Sequence, residues 1–305
     1  MKGTALLLCL AAVLSSHDVH GEGESLHEQC RTAKGVDEAC VFERLDSEDK
    51  LRDAFGAVPV RYRVHAPYLV SQQPPLVRDV TLVTQGSTDR LPRLREQALS
   101  WQGSISAAIY LRPSEQTGDE HETVLARIRS LHREIESAGR SRLCISLVYA
   151  VDPRTAELEY DTLYPINALR NVAVRQAEAA LIMVIDIDFV PSHHFWTYLT
   201  DETRYAHILS RAQQQLHVWA LVSLELHQNF VPLPMTLPEV AAALENKSVV
   251  VAEAYLNPAA HMPVGVEAWL QKQDIYGPLE ASEAFEPFVL GTHFATCFTG
   301  TIYNH

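Results

Sequence analysis

Leu181-Ile182-Met183-Val184-Ile185-Asp186-Ile187-Asp188-Phe189-Val190-Pro191-Ser192 is the stretch that decides how this chain is read. Its apolar first half has the composition of a strand buried on both faces, spanning Ala180 to Asp186, and Pro191-Ser192 stops the run. Two carboxylates are thereby delivered to the C-terminal end of a strand, where open α/β sheets bind their ligands. Alternation along an extended strand points Asp186 and Asp188 to the same face, so that one holds a divalent cation while its neighbour orients what the cation carries.

The same grammar extends upstream. Asp79 to Gly86, Ser104 to Leu111 and Cys144 to Ala150 read as strands, and Leu91 to Leu99, His121 to Ala138 and Ile166 to Ala180 as helices. In the second helix Leu125, Ile128, Leu131 and Ile135 recur at spacings of three and four and form one apolar face. Strands separated by helix-length intervals predict an α/β fold with a mostly parallel central sheet flanked by helices. Downstream, Trp219 to Leu226 reads as a strand and Leu237 to Leu244 as a helix, and the order of elements there is open. Upstream, residues 21–75 are polar and weakly periodic and read as a stem; aromatic and β-branched residues from Tyr62 to Val70 mark a short strand or packing segment within it. The folded domain is then 76–305.

Composition narrows the class. A chain of 305 residues with 47% apolar content buries one substantial core, and a formal charge of −13 disfavours a nucleic-acid binder. Lys2, the apolar run Ala5 to Leu14 and Ser15-Ser16 read as a signal peptide within residues 1–20, with a short signal anchor as the alternative. Either assigns the chain to the secretory pathway, in the Golgi lumen or secreted, and the membrane is a partner only if the anchor is retained. Outside that leader, Cys30, Cys40, Cys144 and Cys297 allow three connectivities; a local Cys30–Cys40 disulfide is the favoured pairing, and Cys144 reads as a buried small hydrophobe. Asn246-Lys247-Ser248 is a sequon consistent with a lumenal chain.

The Asp-X-Asp arrangement is that of a nucleotide-sugar site. A sugar nucleotide carries a diphosphate that needs neutralising when it binds and when it leaves, and Mn²⁺ or Mg²⁺ on Asp188 suits that task. Asp186 would hold the same cation's water or the ribose of the donor. At the first strand Thr84-Gln85-Gly86 stands where an α/β sheet grips a nucleoside; Gly86 is either a close-approach position for ligand or an ordinary turn glycine. Arg90 is a phosphate candidate or a solvated helix-start charge. Asn167, Arg170 and Asn171 fall on one side of a helix, and Arg170 suits a phosphate or a sugar carboxylate, with an ion-pair role as the competing explanation.

Several ordered motifs together resemble the LARGE-like glycosyltransferases, a family that includes glucuronyltransferases acting on dystroglycan glycans. They are Val80 to Gly86, Trp101 and Gly103 ahead of Ser106-Ala107-Ala108, Asn167 to Ala173, Ile185 to Ser192, His261-Met262-Pro263 with Trp269, and Phe285 to Leu290. The resemblance implies a GT-A type nucleotide-sugar-binding fold. It also implies inverting, Mn²⁺-dependent transfer of a sugar, glucuronate or xylose by analogy, from a UDP-sugar to a glycan or glycoprotein acceptor. Asp186 and Asp188 would be the metal and donor carboxylates, both candidate metal ligands. The family pattern is not found after Leu290, so two readings stand: an active transferase, or a catalytically inactive binding relative lacking the C-terminal part of the site. His293 and His305 are the weak candidates there for a further ligand, Glu225 matches an acceptor-side motif only in part, and no catalytic base is assigned.

Overall fold

Ahead of the alternating region the chain contributes β1 (Ala5–Leu7), β2 (Ala12–Leu14) and β3 (Tyr62–Leu69). There follow β4 (Val80–Ser87), α1 (Leu91–Ser100), β5 (Ser104–Leu111), α2 (Gly118–Ala138), β6 (Arg142–Ala150), α3 (Ile166–Arg175) and β7 (Leu181–Val184). The computed structural model describes residues 5–7, 12–14, 62–150, 164–215, 217–226, 234, 236–255, 257–261, 264–272, 276–279 and 287–292. Cys30, Cys40, Glu286, His293, Cys297 and His305 lie outside the described residues.

β4 pairs parallel with β5, β5 with β6, and β7 with the free side of β4, so the centre of a nine-stranded sheet reads β7-β4-β5-β6. The predicted α/β architecture with parallel strands at the sheet centre is what the chain adopts. From β4 the chain steps outward to β6 and then returns to the other side of β4, so the direction of winding reverses between β4 and β7. That reversal is a topological switch point, where neighbouring loops leave in opposite directions and open a crevice.

The strands are apolar on both faces because both faces are covered. Leu82, Ile105, Ile109, Leu143, Leu147 and Met183 pack with Leu94 of α1 and Ile128 and Ile135 of α2. Val83, Ala108, Val148 and Val184 pack with Leu169, Ala173 and Val174 of α3. α1 and α2 thus cover one face and α3 the other. α2 ends where Gly139 takes a left-handed conformation (φ 66°), the cap geometry that glycine adopts without a Cβ clash.

Antiparallel strands flank this centre. β3 pairs with β6, and the later strands β9 (Val218–Ala220) and β13 (Val289–Gly291) continue the sheet beyond β7. The short strand read from Tyr62 to Val70 within the polar stretch is therefore part of the main sheet. β8 (Phe189–Pro191), β10 (Ser223–Leu226) and β11 (Val249–Val251) belong to a four-stranded sheet with β1, while β2 pairs with β9 and with β12 (Tyr276–Leu279). The apolar Ala5 to Leu14 stretch thus supplies two of these short strands. A smaller core gathers Val222, Leu224, Val240, Val249 and Trp269. No helix among the described residues is long and apolar enough to cross a membrane.

Three sequence expectations are corrected. The segment Trp219 to Leu226 is two strands, because Leu221 leaves the ladder and donates its N–H to the Phe288 carbonyl (2.8 Å). The helix predicted to Ala180 ends at Arg175, with Gln176 capping on the Ala173 and Val174 carbonyls. The strand predicted to Asp186 ends at Val184.

Candidate nucleotide-sugar site

Past Val184 the chain makes one more sheet contact, Ile185 N–H to the Val83 carbonyl (3.0 Å), and then turns: the Phe189 N–H returns to the Asp186 carbonyl (3.0 Å). Asp186 therefore opens a tight turn that contains Asp188, and the two do not alternate along an extended strand. Gln97 of α1, buried without solvent exposure, clamps that turn by donating from Nε2 to the carbonyls of Asp186 (3.1 Å) and Phe189 (2.7 Å). The long amide gives the Asp186 carbonyl a second donor beside the Phe189 N–H and supplies one to the buried Phe189 carbonyl.

The turn sends the two carboxylates to different supports. Asp186 Oδ1 accepts from Arg170 Nη2 of α3 (2.8 Å) and from Gln85 Nε2 at the end of β4 (3.0 Å). Asp188 Oδ1 lies 3.2 Å from Arg90 Nη1 and 4.0 Å from Arg93 Nε, at the start of α1. One acid is thus held from the α3 side of the sheet and the other from the α1 side, which replaces the same-face arrangement that alternation predicts. Both sit at the switch point between β4 and β7.

Tyr164 completes the α3 side. Its hydroxyl donates to Gln85 Oε1, which fixes the amide so that Nε2 faces Asp186. Burial, reinforced by the nearby Asp186 carboxylate, raises the Tyr164 hydroxyl far above its ordinary value, and it remains a proton donor. A β-carbon on Gly86 would stand 2.6 Å from Ile187 Cδ1, so Gly86 lies close against the residue between the two aspartates.

Thr84 is fully buried one position before Gln85, and alternation places it on the opposite face of β4 from Gln85. Asn167 is buried and Asn171 half-buried on the helix that carries Arg170. The described contacts therefore gather Gln85, Gly86, Arg90, Arg170, Asp186 and Asp188, and add Tyr164, Arg93 and Gln97, which sequence reasoning passed over. Arg93 had a visible signal, three residues after Arg90 across a helix start. Tyr164 had none, because its partner lies at the end of a strand distant in sequence.

His261 is a further neighbour. It is 6% exposed, its Nδ1 has no hydrogen-bond partner among the described residues, and its ring lies 5.3 Å from that of Phe288. Burial lowers its pKa to about 4, against a smaller opposing influence of Asp186. Cys144 is a free thiol, half-buried, and burial raises it to about 11, so it is an inert packing residue as its apolar strand context predicts.

Asp186 and Asp188 supply oxygen donors, the chemistry that a hard divalent cation takes. Every described hydrogen bond and ion pair of Asp186 and Asp188 falls on Oδ1, which leaves the Oδ2 of each facing no described partner. Two carboxylate oxygens form an incomplete oxygen shell of the kind that Mg²⁺ and Mn²⁺ complete with phosphate and water. No group of three or more His, Cys, Asp or Glu able to hold a metal occurs among the described residues.

The parallel α/β core thus places an aspartate pair at its switch point, where sheets of this kind bind ligands. The chain belongs to the family described as glycosyl-transferase for dystroglycan, whose model matches residues 79–157 and 140–300 and so runs past Leu290. It is 29% identical over 248 residues to the human xylosyl- and glucuronyltransferase LARGE2, covering 81% of this chain and 32% of that protein. The mouse counterpart is 30% identical, with 81% and 33% covered. The Caenorhabditis elegans glycosyltransferase-like protein LARGE is 25% identical, with 69% and 30% covered. The chain thus spans about a third of the length of these relatives. Among solved structures, S. aureus TarS aligns with 44% of this chain and 20% of its own at 14% identity and a TM-score of 0.22, a likeness too slight to inform the fold.

Proposed function

We propose that this chain is a metal-dependent glycosyltransferase that moves a sugar from a UDP-sugar to a glycan or glycoprotein acceptor with inversion, in the lumen of the Golgi or elsewhere along the secretory pathway. The observation that carries the proposal is the placement of Asp186 and Asp188 in one turn at the switch point of the parallel sheet, each with its Oδ1 engaged by arginine side chains. The relatives named as xylosyl- and glucuronyltransferases support xylose or glucuronate as the transferred sugar.

Asp186 and Asp188 would hold Mn²⁺ or Mg²⁺ through their carboxylates. Bound there, the cation supplies Lewis-acid stabilisation of the departing diphosphate. The chain's own residues prepare that role. Arg170 and Gln85 keep Asp186 in one orientation, Tyr164 keeps Gln85 in one orientation, and Gln97 holds the turn between the acids. With these side chains fixed before the donor arrives, little ordering cost falls on binding. Thr84, Asn167 and Asn171 are proposed donor contacts of the surrounding strand end and helix. The apolar Ala5 to Leu14 run supports secretory targeting, and the same residues pair as β1 and β2 when retained. N-terminal sequencing of secreted protein distinguishes removal of residues 1–20 from retention.

Calorimetric titration of UDP into the purified chain, with Mn²⁺ and then with EDTA, tests the site. Metal-dependent binding that disappears in Asp188→Ala while the circular dichroism spectrum is unchanged is the expected result. Binding that is indifferent to metal, or intact in the variant, overturns the assignment. Donor hydrolysis or transfer separates an active enzyme from a binding relative, which would take up UDP without turnover.

A further inference from the structure

Six alternating charges run along the α1 side of the site. Arg112 Nη2 lies 2.8 Å from Asp89 Oδ1; Arg90 Nε lies 3.8 Å from Asp89 Oδ2; Arg90 Nη1 lies 3.2 Å from Asp188 Oδ1. Arg93 Nε then lies 4.0 Å from that same oxygen, and Arg93 Nη1 lies 2.7 Å from Glu96 Oε2. Three guanidinium groups and three carboxylates make this row electrically neutral, and Asp188 is the one acid in it that belongs to the aspartate pair.

Charge balance constrains what happens when a divalent cation takes Asp188. The row then keeps three guanidinium groups against two carboxylates. Asp89 is already engaged by Arg112 at 2.8 Å and Glu96 by Arg93 at 2.7 Å. The surplus falls on Arg90, whose best contact was Asp188 and whose remaining one, to Asp89, is 3.8 Å long. Its side chain is 40% exposed, so it is able to swing, and the turn that carries it abuts Gly86 at the end of β4.

We propose that Arg90 is an internal counter-cation that exchanges with the metal: it neutralises Asp188 until the cation binds and is then released to pair with the diphosphate of the donor. Arg93 is a positioning residue that shares Asp188 with it. This rests on the metal-dependent donor site proposed above. The exchange makes cation and nucleotide binding mutually favourable, since each relieves a charge that the other leaves unbalanced. It also makes Arg90 oppose one ligand and assist the other, which a merely structural side chain does not do.

The test uses the full chain and two probes, Mn²⁺ alone followed by electron paramagnetic resonance and UDP at saturating Mn²⁺ followed by calorimetry. In Arg90→Gln the affinity for Mn²⁺ alone rises roughly two- to fivefold, the worth of an exposed ion pair lost as competitor. Affinity for UDP falls about tenfold in the same variant, the worth of a charge-assisted hydrogen bond. Arg90→Lys, which keeps the charge, leaves Mn²⁺ affinity within twofold of the parent protein. Affinities that fall together, or Mn²⁺ affinity unchanged in Arg90→Gln, overturn the exchange. Absence of Mn²⁺-dependent UDP binding in the unsubstituted chain is the separate failure of the donor-site reading.

Discussion

Ile187 Cδ1 lies 2.6 Å from the point where a β-carbon on Gly86 would stand, with Ile187 Cγ2 at 3.0 Å and Arg90 Cβ at 3.3 Å. The end of β4 and the turn that carries the two aspartates are therefore in contact at a position where an added side chain would have to displace that of Ile187. Gly86→Ala should force Ile187 off its position, destabilise the chain by about 1–3 kcal/mol and weaken Mn²⁺-dependent UDP binding. Urea denaturation and calorimetry check both effects. Adding Ile187→Ala should return most of the loss, and a second substitution that restores nothing argues against this contact as the cause.

Gln97 gives a prediction about the turn itself. Gln97→Leu fills similar volume and removes the donor to the Asp186 and Phe189 carbonyls. Denaturant unfolding should show a loss of about 2 kcal/mol, since a buried acceptor is left without its partner. A variant as stable as the parent would mean that the ladder end needs no side-chain clamp.

Tyr164→Phe removes only the hydroxyl that donates to Gln85 Oε1. The amide then flips freely, so that its oxygen faces Asp186 part of the time. Nucleotide affinity should drop severalfold while stability changes by about 1 kcal/mol. Equal UDP affinity in the two proteins would remove Tyr164 from the site.

His261 makes acid sensitivity predictable in sign. Its pKa is 6.5 when unperturbed and about 4 in the folded chain, because burial disfavours the cation. Above pH 6.5 the ring is neutral in both states and contributes nothing to the pH dependence. As pH falls from 6.5 to 4 the unfolded chain takes up the proton first, so stability declines, by about 3 kcal/mol in all. Unfolding measured across that window should be steeper in the parent than in His261→Gln. Parallel curves would show that the ring protonates without cost.

Leu82, fully buried in β4 at the centre of the sheet, tests the core. Leu82→Ala should cost about 2–5 kcal/mol through lost burial and the cavity left behind. Thermal unfolding measures it, and a loss well under that range would mean that the α1 face repacks.

The strands β4, β5, β6 and β7, the helices α1 to α3 between them and the aspartate pair were legible in the sequence, because apolar period, helix spacing and strand-end acids are local properties. Tertiary structure alone decided that β7 returns beside β4, since strand neighbours are set by packing of distant segments and not by their own pattern. It also decided that Asp186 and Asp188 are held from opposite faces. Alternation presumes that the ladder continues, whereas the Asp186 carbonyl turns back to the Phe189 N–H and Gln97 reaches across from α1 to secure it. Tyr164, Arg93 and the closed space at Gly86 belong to the same category: each owes its role to a neighbour that only the folded chain brings into reach.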